Sequence, residues 1–244
     1  MKICIAQTKP IKGNVSANIE VHKSFIDLAL KYNAEAIFLP ELSLTGYEPE
    51  LSKKLATHQN DKRLDIFQET SDKNKIIIGL GLPTATESKI RISMIIFEPN
   101  KTRQTYSKQQ LHSDEFPYFE NGDGQVVIRT ENTNIAPAIC YESLLPTHSE
   151  NAFKLGADVY LASVAKSENG VKKAFNHYPR VAKKYVKPVL MSNCVGFCDN
   201  FLSVGKSSIW TKEGKLVGQL DDKTEGILIF NTETEEVTEI TIKN

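Results

Sequence analysis

Residues 34–47 read AEAIFLPELSLTGY, and the first half of this stretch decides the fold. Residues 34–39 form a short apolar run that Pro40 ends, which predicts a fully buried strand rather than a helix. Glu41 follows directly, at the carboxyl end of that strand, where α/β proteins place their ligand sites. Partial burial there would raise the pKa of the carboxyl group toward a value useful for a general base. A surface glutamate at a turn is the alternative, and this stretch alone does not exclude it.

Apolar strand candidates alternate with amphipathic helix candidates on both sides of this stretch. Helices are predicted at residues 14–32, 61–73, 148–155 and 172–184. Further strands are predicted at residues 2–7, 75–82, 91–97, 125–130, 134–141, 158–163, 188–193, 207–211, 215–220, 226–231 and 236–242. Strands outnumber helices too strongly for a doubly wound sheet. We therefore predict an α/β fold, a four-layer α-β-β-α sandwich of two mixed sheets flanked by helices, in one domain of residues 1–244.

Charge and composition exclude several classes of partner. Lys+Arg and Asp+Glu both count 30, so the formal net charge is zero, and nothing in that balance would attract nucleic acid or an anionic membrane. The N-terminal apolar run is too short for a signal peptide, and no segment approaches the length that crosses a bilayer. The cysteines are few, so we expect reduced thiols in a cytoplasmic protein: Cys4, Cys140, Cys194 and Cys198.

Three further segments carry residues able to do chemistry. Lys108 lies in YSKQQL (residues 106–111), and a solvated cation is the default for a single lysine. Cys140 closes the apolar strand 134–139 and polar residues follow, a junction that can present a thiol outward; a small buried hydrophobe is the alternative. Residues 111–122 form an acidic and aromatic loop that either lines a pocket or packs against the domain surface.

The order of these segments along the chain carries information about function that no single segment carries alone. Glu41, Lys108 and Cys140 each lie inside a longer motif. The motifs are Ala6-Gln7, Gly13-Asn14, Asn18, LPELSLTGY at residues 39–47, YSKQQL at 106–111, ICYE at 139–142, Asn193 with Gly196, and Gly205-Lys206-Ser207. In the content, order and spacing of these motifs, the chain resembles the nitrilase superfamily of carbon–nitrogen hydrolases over almost its whole length.

The resemblance implies a catalytic triad of Glu41, Lys108 and Cys140. In that scheme Glu41 takes the proton of the Cys140 thiol as the sulfur attacks an amide carbon. The oxyanion accepts hydrogen bonds from the Lys108 ammonium and from the backbone N–H of Tyr141. Glu41 then protonates the departing amine, and a water that Glu41 activates hydrolyses the thioester left on Cys140.

The resemblance fixes the supporting residues less closely. A second glutamate often supports the triad from the loop after the lysine; Glu115 fits by position, and Glu120 is the alternative. Residues 163–166 read SVAK where the family more often has a P-x-A-W-like sequence, so we expect a different substrate wall there. The residues expected to bind substrate are Tyr47, Phe116, Tyr141 and Lys166.

We therefore predict a hydrolase for the C–N bond of a small amide or ureido (N-carbamoyl) compound, with no cofactor or metal, that forms a homodimer or larger homo-oligomer. Nitrile hydrolysis is one alternative, but Tyr141 favours an amidase because nitrilases usually carry tryptophan after the nucleophile. Acyl transfer to an amine is another. A catalytically inactive binding protein of the same fold is a third, and the filled triad argues against it. Cys194 and Cys198 alone are a weak zinc candidate.

Overall fold

Two mixed β-sheets pack against each other in the computed structural model, which describes residues 1–87 and 89–242. The strands are β1 (Lys2–Gln7), β2 (Ala36–Phe38), β3 (Ile77–Ala85), β4 (Ile90–Phe97), β5 (Gln104–Ser107), β6 (Ile128–Arg129), β7 (Asn134–Ile139), β8 (Val159–Val164), β9 (Val189–Asn193), β10 (Val195–Cys198), β11 (Phe201–Val204), β12 (Ser208–Trp210), β13 (Leu216–Gln219), β14 (Glu225–Asn231) and β15 (Val237–Ile242). The α-helices are α1 (Val15–Lys31), α2 (Ser52–Leu55), α3 (Asp65–Asn74), α4 (Pro146–Lys154) and α5 (Glu168–Tyr185). Single 3₁₀ turns lie at Pro49–Leu51, Lys62–Leu64 and Glu142–Leu144.

The strand order explains why each sheet is mixed. The first sheet runs β15-β14-β1-β2-β3-β4-β5 and the second β13-β12-β9-β8-β7-β6, while β10 and β11 form a separate hairpin. Strands β1, β2 and β3 are parallel to one another, as are β7, β8 and β9, and the outer strands of both sheets are antiparallel. The central strands therefore end at one edge of each sheet, where ligand sites of α/β proteins form.

Three apolar clusters separate the four layers. The cluster between the sheets joins residues of the first sheet, such as Ile5 and Phe38, to residues of the second, such as Leu161 and Leu190. A second cluster packs α1 and α3 on the outer face of the first sheet, and a third packs α4 and α5 on the outer face of the second. The predicted α-β-β-α sandwich is confirmed.

The predicted elements differ from the observed ones mainly at their ends. The predicted helix 14–32 is α1, whose N-cap Asn14 accepts a hydrogen bond from the Ala17 N–H. The predicted strand 125–130 is wrong in length, because only Ile128–Arg129 pair in the sheet. The Gln125 side chain instead bonds to His148 and Asn151 of α4. The predicted domain of residues 1–244 includes residues 88, 243 and 244, which lie outside the described part of the chain.

Candidate active site

Glu41 lies in a tight turn just past the end of β2. Leu42 has a φ of 51°, a left-handed conformation that reverses the chain and points the glutamate back beneath the sheet edge. Gly81 of β3 permits this turn, because a Cβ atom there would lie 2.4 Å from the Leu42 nitrogen. Glu41 is 2% exposed as a whole residue, and its Oε2 accepts a hydrogen bond from the Ala165 N–H at 3.2 Å.

Lys108 lies directly after β5 and is completely buried. Its Nζ donates to Glu41 Oε1 at 2.8 Å and to Glu115 Oε1 at 2.7 Å. The loop holds Glu115 from two further sides, since the Tyr47 hydroxyl donates to Oε1 at 2.8 Å and the His112 N–H donates to Oε2 at 2.7 Å. The structure therefore brings both glutamates onto one ammonium group.

Cys140 lies directly after β7, in a backbone conformation that few non-glycine residues adopt. Its φ is 47°, and its N–H donates to Ser163 O of the neighbouring strand β8 at 3.0 Å. A non-glycine residue in the left-handed region at a strand end is a typical feature of functional sites, because the surrounding structure must hold it there. The Cys140 sulfur lies 3.6 Å from Ala165 O and 3.7 Å from Lys166 Nζ.

These side chains border one cavity of about 370 Å³. Cys140, Lys108 and Glu115 line it, with Glu41 bonded to Lys108 behind them. The other lining residues are Tyr47, His112, Asp114, Tyr141, Leu144, Leu145, Ala165, Lys166, Ser167, Gly170, Lys173 and Phe201. A volume near the lower end of the range for small-molecule sites limits the cavity to a small substrate.

Burial and charge act in opposite directions on the ionisable groups. Burial raises the pKa of Glu41, and the nearby charge of Lys108 offsets this only in part. Burial alone would lower the pKa of Lys108, but Glu41 and Glu115 outweigh it and raise that pKa, so Lys108 stays an ammonium. Burial, followed by the charge of Glu41, raises the pKa of Cys140 to about 11. The Cys140 thiol is therefore protonated at neutral pH.

Two residues that line the cavity with Cys140 carry hydrogen-bond donors. The Lys108 ammonium is one. The backbone N–H of Tyr141 is the other: within the described residues it donates to no protein acceptor. A free N–H next to a strained cysteine can stabilise an oxyanion. That charge forms on the carbonyl oxygen bonded to the carbon that the sulfur attacks.

Lys166 lines the same cavity and is 4% exposed. Its N–H donates to Asn193 Oδ1 at 2.9 Å, and the Asn193 side chain also donates to Gly205 O at 2.6 Å. The Ser207 hydroxyl in turn accepts from the Asn193 N–H at 2.9 Å. The later sequence motifs around Asn193 and Gly205 therefore build the backbone support of Lys166.

The remaining predicted residues fall in different places. Tyr47 and Tyr141 line the cavity, and the Tyr141 ring packs edge-on against His112 at 5.3 Å between centroids. Phe116 is 58% exposed and lines a neighbouring surface groove rather than this cavity. Glu120 pairs with Arg91 at 3.0 Å, away from Lys108.

No cluster of three or more His, Cys, Asp or Glu side chains suited to a metal occurs in residues 1–87 and 89–242. The sulfurs of Cys194 and Cys198 lie 3.6 Å apart, and both side chains are buried. Among the described helices, none combines the length and apolarity needed to cross a membrane.

Sequence reasoning missed Glu142, which lies behind the site. This buried carboxylate accepts hydrogen bonds from the Ile139 N–H at 2.7 Å, the Gln109 N–H at 2.6 Å and the Tyr106 hydroxyl. It thus ties the segment after Lys108 to the strand before Cys140. Burial raises the pKa of Glu142 to about 7. The motif ICYE contained this residue, but nothing in the sequence distinguished it from a surface glutamate.

A family model described as carbon-nitrogen hydrolase matches residues 2–241. Among curated proteins, the chain is 24% identical over 227 residues to a glutamine-dependent NAD(+) synthetase of Thermotoga maritima, a match that covers 89% of this chain. The chain spans only 39% of the length of that synthetase. It is 22% identical to a probable nitrilase of Schizosaccharomyces pombe, over 96% of this chain and 89% of the other.

Solved structures resemble the whole fold. An amidase from Nesterenkonia sp. superposes with a TM-score of 0.86 at 18% identity, covering 99% of this chain and 90% of the other. A cysteine-to-alanine mutant of the amidase from Nesterenkonia sp. AN1, in complex with butyramide, gives a TM-score of 0.84 at 19% identity, over 94% and 89% of the two chains. Another structure of that amidase carries the product of acrylamide addition at its active-site cysteine.

Proposed function

Because the chain belongs to the carbon–nitrogen hydrolase family, we propose that it cleaves the C–N bond of a small amide or N-carbamoyl compound through a thioester on Cys140. Membership of that family confirms the resemblance found in the sequence, and it supports the proposed carbon–nitrogen hydrolase activity. The assignment of Cys140 as nucleophile, Glu41 as base and Lys108 as oxyanion partner is the finer part of the proposal. Its main support is the buried contact of Lys108 with Glu41 and Glu115 beside the strained Cys140 turn.

The first proposed step is deprotonation of the thiol. A thiol with a pKa of about 11 is almost wholly protonated at pH 7, so attack by Cys140 on an amide carbon requires a base within reach. Glu41 is a buried carboxylate, and a hydrogen bond with the Cys140 thiol is one of the interactions that lower its pKa. Its raised pKa suits the task, because the group must accept a proton and later return it.

The second step is stabilisation of the tetrahedral oxyanion. As the C–S bond forms, the carbonyl π electrons move to oxygen, and the Lys108 ammonium and the Tyr141 N–H are available to donate to it. Both donors are fixed before the reaction, so they need little reorganisation. Losing one such donor typically costs about 2.7–4 kcal/mol of transition-state stabilisation.

The last steps release the two products. Glu41 returns its proton to the nitrogen, the C–N bond breaks, and ammonia or an amine leaves while an acyl thioester remains on Cys140. Water then gives a proton to Glu41 as its oxygen attacks the thioester carbon, and the C–S bond breaks as the sulfur takes that proton. The acid leaves, and the thiol and the Glu41 carboxylate are restored.

The test is a screen for ammonia release from short aliphatic amides, N-carbamoyl amino acids and nitriles. We expect turnover of at least one amide or N-carbamoyl compound, and loss of that turnover to background in Cys140→Ala. Cys4→Ala is the matched control, because Cys4 lies in the outer apolar cluster of the first sheet, away from the cavity. Amide turnover that survives in a folded Cys140→Ala variant contradicts the proposed mechanism.

A further inference from the structure

Lys166 is a buried cation without an acidic partner. No carboxylate oxygen of the described residues lies within 4 Å of its ammonium nitrogen. The contacts of Nζ are Cys140 O at 3.4 Å and the Cys140 sulfur at 3.7 Å, both long for hydrogen bonds. Removing an ammonium group from water without a paired anion is unfavourable. The position therefore calls for an anion that the protein itself does not provide.

The fold holds the backbone and the aliphatic stem of Lys166 in place within the cavity. The Lys166 carbonyl accepts hydrogen bonds from the Val204 N–H at 3.2 Å and the Ser203 hydroxyl at 3.1 Å. The aliphatic stem lies against Gly170 of α5, where a Cβ atom would be only 3.2 Å from the Lys166 Cβ. The backbone and stem of Lys166 are thus fixed from both sides.

The other buried charges of the cavity are paired with each other, since Glu41 and Glu115 both bind Lys108. Asp114 lies 2.6 Å from the His112 ring nitrogen, and Lys173, which also lines the cavity, is exposed. Cys140 does not supply the missing negative charge in the resting enzyme, because its thiol is protonated at neutral pH. Lys166 is accordingly the buried charge of this cavity that remains available to a ligand.

We propose that Lys166 binds a carboxylate of the substrate. The substrates are then short amides in which two or three carbons separate the amide carbon from the carboxylate. This inference rests on the proposed function of Cys140 as nucleophile. It specifies the class of amide, and it accounts for a lysine at a position where the family more often has a tryptophan.

The chain length follows from the position of Nζ. An attacked carbonyl carbon lies about 3–3.5 Å from the sulfur, and a carboxylate oxygen lies about 2.7–2.9 Å from an ammonium nitrogen. With Nζ only 3.7 Å from the sulfur, the carboxylate must fold back toward the reacting carbon. Two or three intervening carbons allow this, whereas a long chain would carry the carboxylate past Nζ to the rim.

The experiment compares succinamate with butyramide, an amide of similar length without the carboxylate, in the full-length enzyme. Lys166→Met should lower kcat/KM for succinamate by about tenfold to a hundredfold, the usual effect of losing a hydrogen bond to a charged group. It should change kcat/KM for butyramide far less. Lys166→Arg should keep much of the preference for the acid. Lys172→Met is the control, since Lys172 is exposed on α5 and pairs with Glu168.

The outcomes separate this inference from the proposed function. Equal losses of kcat/KM for both amides in Lys166→Met would mean that Lys166 acts on the thiol, and an unchanged kcat/KM for both would mean that it does not contact substrate; either outcome overturns the inference and leaves Cys140 as nucleophile. Turnover retained in Cys140→Ala overturns the proposed function instead. Calorimetric titration of Cys140→Ala and Cys140→Ala/Lys166→Met with both amides gives the same comparison without turnover. Equal binding of succinamate to both variants again overturns the inference.

Discussion

Glu142→Gln tests whether a carboxylate outside the cavity holds the catalytic loops together. The Glu142 oxygens receive three backbone N–H groups, from Ile139, Gln109 and, at 3.3 Å, Gln110, together with the Tyr106 hydroxyl. Glutamine preserves the volume but replaces one acceptor oxygen with a donor NH₂ group. Whichever way the amide is oriented, at least one buried N–H then faces another donor.

The cost follows from this count of donors. The less costly orientation places the NH₂ group beside Ile139 and Tyr106, because the Tyr106 hydroxyl can turn to His148 Nε2, 2.9 Å away. The Ile139 N–H is then left unpaired, which costs about 1–3 kcal/mol, because a carboxyl oxygen can accept from it and an NH₂ group cannot. We expect Glu142→Gln to lower the free energy of unfolding at pH 6 by about 1–3 kcal/mol.

The pH dependence provides a second, independent measure. The pKa of Glu142 is about 7 in the fold, above its ordinary value of 4.5, so the folded state binds more protons than the unfolded state between these values. Its contribution to stability is fully present below pH 4.5 and is lost as the pH rises through 7. The difference between wild type and Glu142→Gln should therefore shrink by roughly 1 kcal/mol between pH 6 and pH 8.

Urea unfolding at pH 6 and pH 8, followed by circular dichroism, measures both effects. Glu150→Gln is the matched control: it removes a surface pair with Lys154 whose glutamate is 44% exposed, and exposed pairs contribute about 0–1 kcal/mol. Amide turnover should also fall in Glu142→Gln, because the segment after Lys108 loses its anchor to the Cys140 strand. This account would be refuted if the unfolding midpoint were unchanged and turnover stayed within about twofold of wild type, as for a neutral substitution.

Two further predictions concern the pair of carboxylates on Lys108. Glu115→Gln should lower kcat by about tenfold or more, because Lys108 loses a charged hydrogen-bond partner; a rate close to wild type would assign Glu115 no supporting role. The apparent pKa on the acid side of the kcat/KM profile should lie above the usual carboxyl pKa of about 4.3. The reason is that Glu41 must be ionised to act as base and its pKa is raised. Glu115 contributes to that rise, so the acid limb should move to lower pH in Glu115→Gln; a shift to higher pH contradicts the reasoning.

The sequence placed Glu41 and Cys140 directly after buried strands, whereas the roles proposed for them came from the resemblance to the nitrilase superfamily. Parallel strands bring such positions to one edge of each sheet. Burial on both faces makes these strands unmistakable as continuous apolar segments. The four-layer architecture followed from the number and alternation of these segments.

Positions on loops were harder to predict, because a loop gives no periodic pattern that fixes the direction of a side chain. Glu115 and Phe116 are adjacent in sequence, yet Glu115 is buried against Lys108 and Phe116 is mostly exposed. The burial of Lys166 depends on Asn193 and Ser203, which are 27 and 37 residues away. The sequence gives the residue types but not these distant contacts.

The distribution of hydrogen bonds explains why the polar groups of the site must act together. Glu41 and Glu115 share Lys108, so neither carboxylate can change its charge without altering the other's interaction with that ammonium. In the proposed mechanism Glu41 accepts the thiol proton while Glu115 keeps Lys108 charged, and Lys166 and Lys108 both attract the new sulfur anion. A substrate carboxylate on Lys166 would weaken the attraction of Lys166 for the sulfur anion. Binding of such a substrate would thus favour transfer of negative charge from the sulfur to the oxyanion, where Lys108 and Tyr141 can stabilise it.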